Sequence, residues 1–213
     1  MALLPSAARR VKRTPASHAA ACRHLTKADP VLRRIIARVG PCGLKRYPRY
    51  FITLCDSIVS QQLSGRVAEV IFKRFAALYP HRRPTPSRVA ATPVPRLRTA
   101  GLSGQKARYL KELARGFAGG GIRPHRFARQ SNEEIIEALT SIHGIGRWTA
   151  EMFLMFSLNR LDVLPVDDLG IKKAIQRAYG LRSLPKPVTM RRIGRCWHPY
   201  ETIACWYLWR SLR

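Results

Sequence analysis

The chain has 213 residues, of which 46% are hydrophobic, and this supports a folded protein with one large domain or two small lobes. Lys and Arg number 39 against 12 Asp and Glu, so the formal net charge is +27. Such a charge indicates a polyanionic partner, nucleic acid before an anionic membrane surface. No apolar run approaches the length of a transmembrane helix, which argues against a membrane-spanning protein.

The first 28 residues are basic and contain no acidic side chain. They lack the apolar segment of a secretory signal, although an arginine-rich start without acids could also serve as a mitochondrial transit peptide. We expect residues 1–28 to form a disordered tail that contacts nucleic acid through its cations. These cations are Arg9, Arg10, Lys12, Arg13, Arg23 and Lys27.

The five cysteines are odd in number and form no C-x-x-C pair, so neither a disulfide framework nor a metal site is predicted. Their pattern indicates a reducing compartment. Cys55 and Cys205 lie within apolar helical patterns and are expected to be small core residues.

Helical periodicity is common along the chain and strand-like alternation is poor, so the fold is predicted to be all-α. After the tail, residues 29–39 are predicted as a helix. Apolar residues at three- and four-residue steps predict a helix over residues 57–79, and the proline-rich residues 80–95 are predicted as a connector. Ser103 is predicted to cap a helix that ends near Phe117.

The next segment predicts two helices joined by a tight hairpin. Ser131 and Glu134 fit a capping box at the start of the first helix. His143-Gly144-Ile145-Gly146 ends it, because two glycines around one apolar residue allow positive φ and close approach of another backbone. A strongly apolar second helix begins at Arg147, and its free N–H groups could bind a phosphate. The alternative is a plain helix-turn-helix with a glycine C-cap.

Beyond the hairpin, Asp168 stands at the start of a predicted helix that runs to Gly180, in a chain with few acids. A short helix after Thr189 and a last helix from about Pro199 complete the all-α prediction. Proline is well suited to the first turn of a helix.

Four segments together resemble the helix-hairpin-helix DNA glycosylases, and among them the 3-methyladenine DNA glycosylase II group. The resemblance covers roughly residues 25–213. It implies an all-α, two-lobed fold over residues 29–213, in which residues 132–159 form the hairpin. The active site is expected in the cleft between the lobes. The four segments are the minor-groove segment SIVSQQLS at 57–64, Gly101-Leu102-Ser103 with Lys106 and Tyr109-Leu110, the hairpin at 142–150, and Val166-Asp167-Asp168-Leu169.

The resemblance implies an enzyme that flips alkylated purines, of the 3-methyladenine type, out of double-stranded DNA and hydrolyses their N-glycosidic bond in base-excision repair. Bifunctional relatives carry a lysine nucleophile where this chain has Trp148, so no lyase step is expected.

Other relatives hold an iron–sulfur cluster on four closely spaced cysteines near the C-terminus. Only Cys196 and Cys205 lie there in this chain, so no cluster and no required cofactor is expected. The chain resembles the compact form without an N-terminal β-domain, and we expect a monomer.

Asp168 is the catalytic residue that the resemblance implies. A negative charge near the sugar would stabilise the oxocarbenium-like transition state, activate a water molecule, or both. A helix N-terminus favours an ionised carboxylate. The alternative is that Asp168 is only an N-cap and that Asp167 is the functional group.

The resemblance also assigns residues to the displaced base. Gln62 aligns with the residue that fills the gap in the stack, with Gln61 beside it; the alternative is a polar pair on a helix face. Trp148 and Trp209 would line an electron-rich pocket for a cationic base, and Met152 stands where relatives often have a tyrosine. For both tryptophans the alternative is ordinary core packing.

The remaining assignments concern the DNA backbone. Gly144, Gly146 and Thr149 would contact it. Backbone carbonyls of the hairpin would hold a monovalent cation, sodium or potassium, that also meets a phosphate oxygen. The carbonyls in question are those of Thr140, Ile142 and Ile145.

Three rival functions stay open: a non-catalytic helix-hairpin-helix DNA-binding protein, a basic RNA- or ribosome-associated protein, and a glycosylase for another lesion such as hypoxanthine or uracil. Asp168 and the Gln61-Gln62 pair argue against a mere binder, which needs neither. The thiols and the predicted DNA partner together suggest a cytoplasmic, nucleoid-associated protein.

Overall fold

The computed structural model describes residues 16–212, and this part of the chain contains α-helices and no β-strand, so the all-α prediction is confirmed. Short 3-10 turns lie at Pro80–Arg82, Pro124–Arg126 and Arg195–Trp197, and a π-helical turn lies at Leu154–Leu158. In chain order the α-helices are α1 (Ala16–Ala28), α2 (Pro30–Val39), α3 (Tyr50–Ser60), α4 (Gly65–Ala77), α5 (Pro86–Ala91), α6 (Val94–Arg98), α7 (Gly104–Ala118), α8 (Asn132–Thr140), α9 (Arg147–Phe153), α10 (Leu169–Ala178), α11 (Pro187–Gly194) and α12 (Glu201–Arg210).

The chain divides into two compact units, which agrees with the expected two lobes. Among the described residues, one unit combines 16–46 with 159–212, and it holds α1, α2, α10, α11 and α12. The other, Tyr47–Leu158, holds α3 to α9. Within the described residues no helix has the length and apolar character needed to cross a membrane.

Asp29 organises the core of the first unit. It is the N-cap of α2, and its Oδ1 accepts hydrogen bonds from the N–H groups of Val31, at 2.8 Å, and Leu32. Its Oδ2 accepts the indole N–H of the buried Trp197 at 2.8 Å and the hydroxyl of Tyr179. Because both oxygens are hydrogen-bonded, the core tolerates a carboxylate that is only 4% exposed.

Residues 16–28 form helix α1, so the prediction of a disordered tail is wrong for them. Ala21 and Leu25, four residues apart on one face, are fully buried, and α1 packs against α2 and α12. The prediction rested on the basic, acid-free character of residues 1–28 as a whole, whereas residues 16–28 contain only two cations, Arg23 and Lys27. The part of the predicted tail at residues 1–15 lies outside the described residues.

The helix predicted over residues 57–79 is in fact two helices. α3 and α4 are separated by residues 61–64, which we name the α3–α4 loop, where Gln62 has a φ of 57°. The apolar spacing continues across this break, so periodicity alone did not reveal it. Val67 and Val70 belong to the predicted apolar stripe, yet both are exposed on α4.

Helix α7 is central to the second unit and packs against α3, α5 and α6. Its predicted cap is confirmed, since the Ser103 hydroxyl accepts the N–H of Lys106. The capping box of α8 is also confirmed, with both the Ser131 and the Glu134 hydrogen bonds present. The predicted connector at 80–95 contains α5, which starts at Pro86, because proline is compatible with a first helical turn.

Candidate active site

Asp168 is the N-cap of α10, as the sequence predicts. Its Oδ1 accepts the N–H of Ile171 at 2.7 Å, and its backbone carbonyl accepts the N–H of Lys172. The residue is only 5% exposed. A nearly buried carboxylate at a helix start is therefore held rigidly, with the positive end of the α10 dipole beside it.

A second hydrogen bond fixes the same oxygen from α12. The indole N–H of Trp209 donates to Asp168 Oδ1 at 2.9 Å. Trp209 was predicted as a wall of the base pocket, and the structure places its N–H on the candidate catalytic carboxylate. A Cβ added at Gly170 would lie 3.0 Å from both Asp168 Oδ1 and Trp209 Nε1, so this arrangement favours glycine there. No local sequence pattern marks Gly170 as a residue of the site.

Asp167 lies in a different environment. Its side chain is 65% exposed, and one oxygen lies 3.5 Å from Lys172 Nζ. Of the two neighbouring acids, Asp168 is the one that is enclosed and oriented by hydrogen bonds. The geometry therefore favours Asp168 over Asp167 as the functional carboxylate.

We expect Trp209→Phe to reduce single-turnover base release about tenfold, because a hydrogen bond to a charged group is lost while an aromatic ring remains. Trp206→Phe is the matched control, since it removes an indole N–H from the same helix at a position where the ring lies beneath Arg210. Rates measured at saturating enzyme on methylated duplex DNA compare the two. An equal loss in both variants would contradict a specific role for the Trp209 N–H.

The hairpin between α8 and α9 is formed by residues 141–146, the hairpin loop. Gly144 has a φ of 87°, and a Cβ there would overlap the ring of Tyr109. Gly146 has a φ of −86° and nothing within 4 Å of an added Cβ. The fold itself therefore requires glycine at 144 but not at 146.

The other predicted hairpin residues differ in exposure. Trp148 is 41% exposed, so the core interpretation is wrong for this tryptophan. Met152, one turn later on α9, is half-buried. Thr149 is only 8% exposed, which leaves little of it for a DNA contact. Arg147 forms a bidentate ion pair with Glu133 that ties the start of α9 to α8.

The two glutamines of the α3–α4 loop are placed differently. The side-chain amide of Gln61 donates to the carbonyl of Gly144 at 2.6 Å and so joins this loop to the hairpin loop. Gln62 is exposed and has positive φ. Of the two, Gln62 is therefore the one available to enter a DNA stack.

Two residues of α7 also contact these loops, and neither was predicted to have a role in the site. Lys106 Nζ donates to the carbonyls of Val59 and Gln61, at 2.7 and 2.6 Å, and burial lowers the pKa of this ammonium group. Glu112 accepts the backbone N–H of His143 at 3.0 Å, which lowers the pKa of its carboxyl group. Both contacts span at least 31 positions, so no local sequence signal could reveal them.

Comparison with known proteins assigns the family. Residues 55–199 match the model of the HhH-GPD superfamily base excision DNA repair protein. DNA-3-methyladenine glycosylase 1 of Schizosaccharomyces pombe is 36% identical over 193 residues, which cover 88% of this chain and 85% of that protein.

Two solved structures are similar to this chain over most of its length. The 3-methyladenine DNA glycosylase of Schizosaccharomyces pombe in complex with abasic DNA has a TM-score of 0.77 at 36% identity, covering 90% of this chain and 96% of that one. DNA-3-methyladenine glycosidase of Bacillus halodurans has a TM-score of 0.83 at 35% identity, covering 90% and 88% of the two chains. The chain belongs to the HhH-GPD superfamily of base excision DNA repair proteins.

Proposed function

We propose that this protein is a monofunctional DNA glycosylase that flips alkylated purines out of double-stranded DNA and removes them by hydrolysis. The observation that carries the proposal is the nearly buried Asp168, oriented by Ile171 and Trp209. It is supported by relatives that are named 3-methyladenine DNA glycosylases.

Hydrolysis of the bond between a cationic purine and its sugar needs a nearby negative charge more than it needs a proton donor. A purine methylated at N3 or N7 is cationic in DNA, and cleavage of its bond to C1′ returns the electron pair and leaves it neutral. Positive charge then develops on the sugar, where the Asp168 carboxylate would stabilise it. A water molecule adds to C1′ and releases a proton to Asp168 or to solvent, so that free base and an abasic site are the products.

The absence of a lyase step rests on position 148. A Schiff-base mechanism needs a nucleophilic amine, and helix α9 contains no lysine between Arg147 and Phe153. Trp148 stands where bifunctional relatives carry that lysine. Its partly exposed indole would instead offer a π-face to a cationic base, with Met152 beside it on the same helix.

Trp148→Ala is expected to raise the substrate concentration for half-maximal release from methylated DNA roughly tenfold, as loss of a cation–π contact predicts. Because Trp148 is 41% exposed, the variant should fold with a melting temperature close to that of the wild type. Steady-state kinetics and affinity for undamaged duplex are the measurements. Unfolding, or equal weakening on undamaged DNA, would contradict a role in the base pocket.

The hairpin loop is proposed to grip the DNA backbone through Gly144 and Gly146, while Gln62 fills the gap that the flipped base leaves. Support comes from the small, exposed surface at Gly146 and the exposed position of Gln62. The high positive charge of the chain would add affinity that falls steeply with salt.

We also propose, on the resemblance, that carbonyls of Thr140, Ile142 and Ile145 hold sodium or potassium. The Ile142 carbonyl already accepts the N–H of Ile145 at 3.1 Å, which leaves it one lone pair for a cation. Main-chain oxygens are suitable ligands for such an ion. The bound ion would place one positive charge next to a phosphate oxygen, and no step of the base-release reaction depends on this ion.

A reducing compartment and a monomeric state complete the proposal. All five cysteines are free thiols, and burial raises the pKa of Cys42 to about 11 and that of Cys55 well above its usual value. A protonated thiol is a poor nucleophile, so these two cysteines are expected to be unreactive. Free thiols are compatible with the proposed cytoplasmic, nucleoid-associated protein.

The test is base release from methylated duplex DNA by the purified protein, with the products separated by chromatography. We expect release of 3-methyladenine or 7-methylguanine and an intact sugar–phosphate strand at each abasic site. Strand cleavage at those sites would contradict the monofunctional assignment. Absence of release with tight DNA binding would contradict alkylpurine excision, and duplexes with hypoxanthine or uracil would then separate another lesion from a binding protein.

A further inference from the structure

One face of α7 contacts both loops that are proposed to touch DNA. Lys106, Tyr109 and Glu112 recur at three-residue steps, so their side chains project from the same side of the helix. Each contacts either the α3–α4 loop or the hairpin loop, and all of these residues belong to the second unit. A rigid helix thus joins two short loops that are distant in sequence.

Lys106 holds the α3–α4 loop. Its ammonium group donates to the carbonyls of Val59 and Gln61, at the point where α3 ends. Carbonyls at the end of a helix have no partner within it, and here a charged group supplies one. The residue that follows, Gln62, is thereby set at a fixed place relative to α7.

Tyr109 and Glu112 hold the hairpin loop. The ring of Tyr109 lies so close to Gly144 that a side chain there would overlap it. Glu112 accepts the backbone N–H of His143 at 3.0 Å and contacts the His143 ring nitrogen at 2.9 Å. The loop is therefore bound to α7 at two successive residues.

Gln61 closes the connection between the two loops. Its carbonyl accepts from Lys106, and its side-chain amide donates to Gly144 at 2.6 Å. Gln61, which precedes the proposed wedge Gln62, is therefore hydrogen-bonded directly to Gly144, which is proposed to lie against a phosphate. The two loops are consequently joined to each other and to α7.

We propose that Lys106, Tyr109, Glu112 and Gln61 are positioning residues that fix the distance between the gripped phosphate and Gln62. Extrusion of a base costs a few kcal/mol of stacking and pairing. A wedge offsets that cost only if it stands at the correct distance from the held backbone. Loosening this connection should leave the grip on DNA intact while base flipping fails. The inference rests on the proposed function, because it assumes that Gln62 fills the gap.

Helix α7 offers a matched control for a purely structural role. Lys111 also donates two hydrogen bonds to backbone carbonyls, those of Ala90, at 2.8 Å, and Thr92, at 2.5 Å, where α5 ends. Lys106→Met and Lys111→Met therefore remove the same charge and the same kind of helix cap from one helix. Only the first removes a contact to the α3–α4 loop.

The experiment compares both variants with the wild type on duplexes that carry 2-aminopurine beside a single 7-methylguanine. We expect Lys106→Met to lose flipping fluorescence and single-turnover release about tenfold, the factor expected when hydrogen bonds to a charged group are lost. Affinity for undamaged duplex should stay within about twofold, and release from single-stranded DNA, which needs no flipping, should recover. Lys111→Met should have the same melting temperature as Lys106→Met but keep the fluorescence change and the release rate of the wild type.

Equal losses in the two lysine variants, or no loss in Lys106→Met, would overturn the proposal. If Lys106→Met does not fold, Gln61→Leu removes the donor to Gly144 without removing a charge and is expected to show the same split between binding and flipping. Failure of the proposed function has a different signature, because the wild type itself would then release no base from this duplex, whereas failure of the present proposal leaves wild-type flipping and release intact.

Discussion

Asp168→Asn is expected to lower base release from methylated duplex DNA by about 100-fold or more, the scale seen when a group that stabilises transition-state charge is removed. The asparagine oxygen can still accept from Ile171 and Trp209, since Asn is as good an N-cap as Asp. Only the negative charge is lost. Single-turnover rates at saturating enzyme report this loss without interference from product release.

Asp167→Asn is the control for this experiment. It makes the same chemical change one position away, on a side chain that is 65% exposed and paired only loosely with Lys172. We expect it to keep wild-type release, and we expect Asp168→Asn to bind DNA as tightly as the wild type or more tightly. Release at the wild-type rate by purified Asp168→Asn would remove the basis of the catalytic assignment.

Gly144→Ala is expected to have the largest effect on the fold, roughly 2–4 kcal/mol, because positive φ and overpacking each destabilise an alanine. The new methyl group would meet the ring of Tyr109, so the hairpin loop or the tyrosine must shift. Chemical denaturation measures the free energy of unfolding, and fluorescence anisotropy measures DNA affinity, which should fall with it.

Gly146→Ala separates folding from DNA contact at the same loop. Its φ of −86° suits alanine and no atom lies within 4 Å of the added Cβ, so we expect normal stability. If the DNA backbone approaches this glycine closely, affinity for duplex DNA should nevertheless drop about tenfold. Wild-type affinity in this variant would mean that the phosphate lies elsewhere, whatever the outcome for Gly144→Ala.

Two segments of the chain differ from the structure that their sequence predicts, for physical reasons. Residues 16–28 were expected to be disordered because they belong to a basic stretch without acids, residues 1–28, yet they form α1, in which Ala21 and Leu25 are fully buried. The break at residues 61–64 was invisible because apolar spacing continued through it. Helix α1 is stabilised by packing against α2 and α12, which its own sequence does not specify.

The amino-acid sequence by itself determined the helical class, the caps at Ser103, Ser131 and Asp168, and the hairpin between α8 and α9. These features depend on interactions over three or four residues, which the order of side chains specifies directly.

Only the tertiary structure decided what orients the functional groups. Trp209 reaches Asp168 across 41 positions, and Gln61 reaches Gly144 across 83. Such contacts depend on how whole helices pack, and packing is a property of the assembled core that no local pattern encodes.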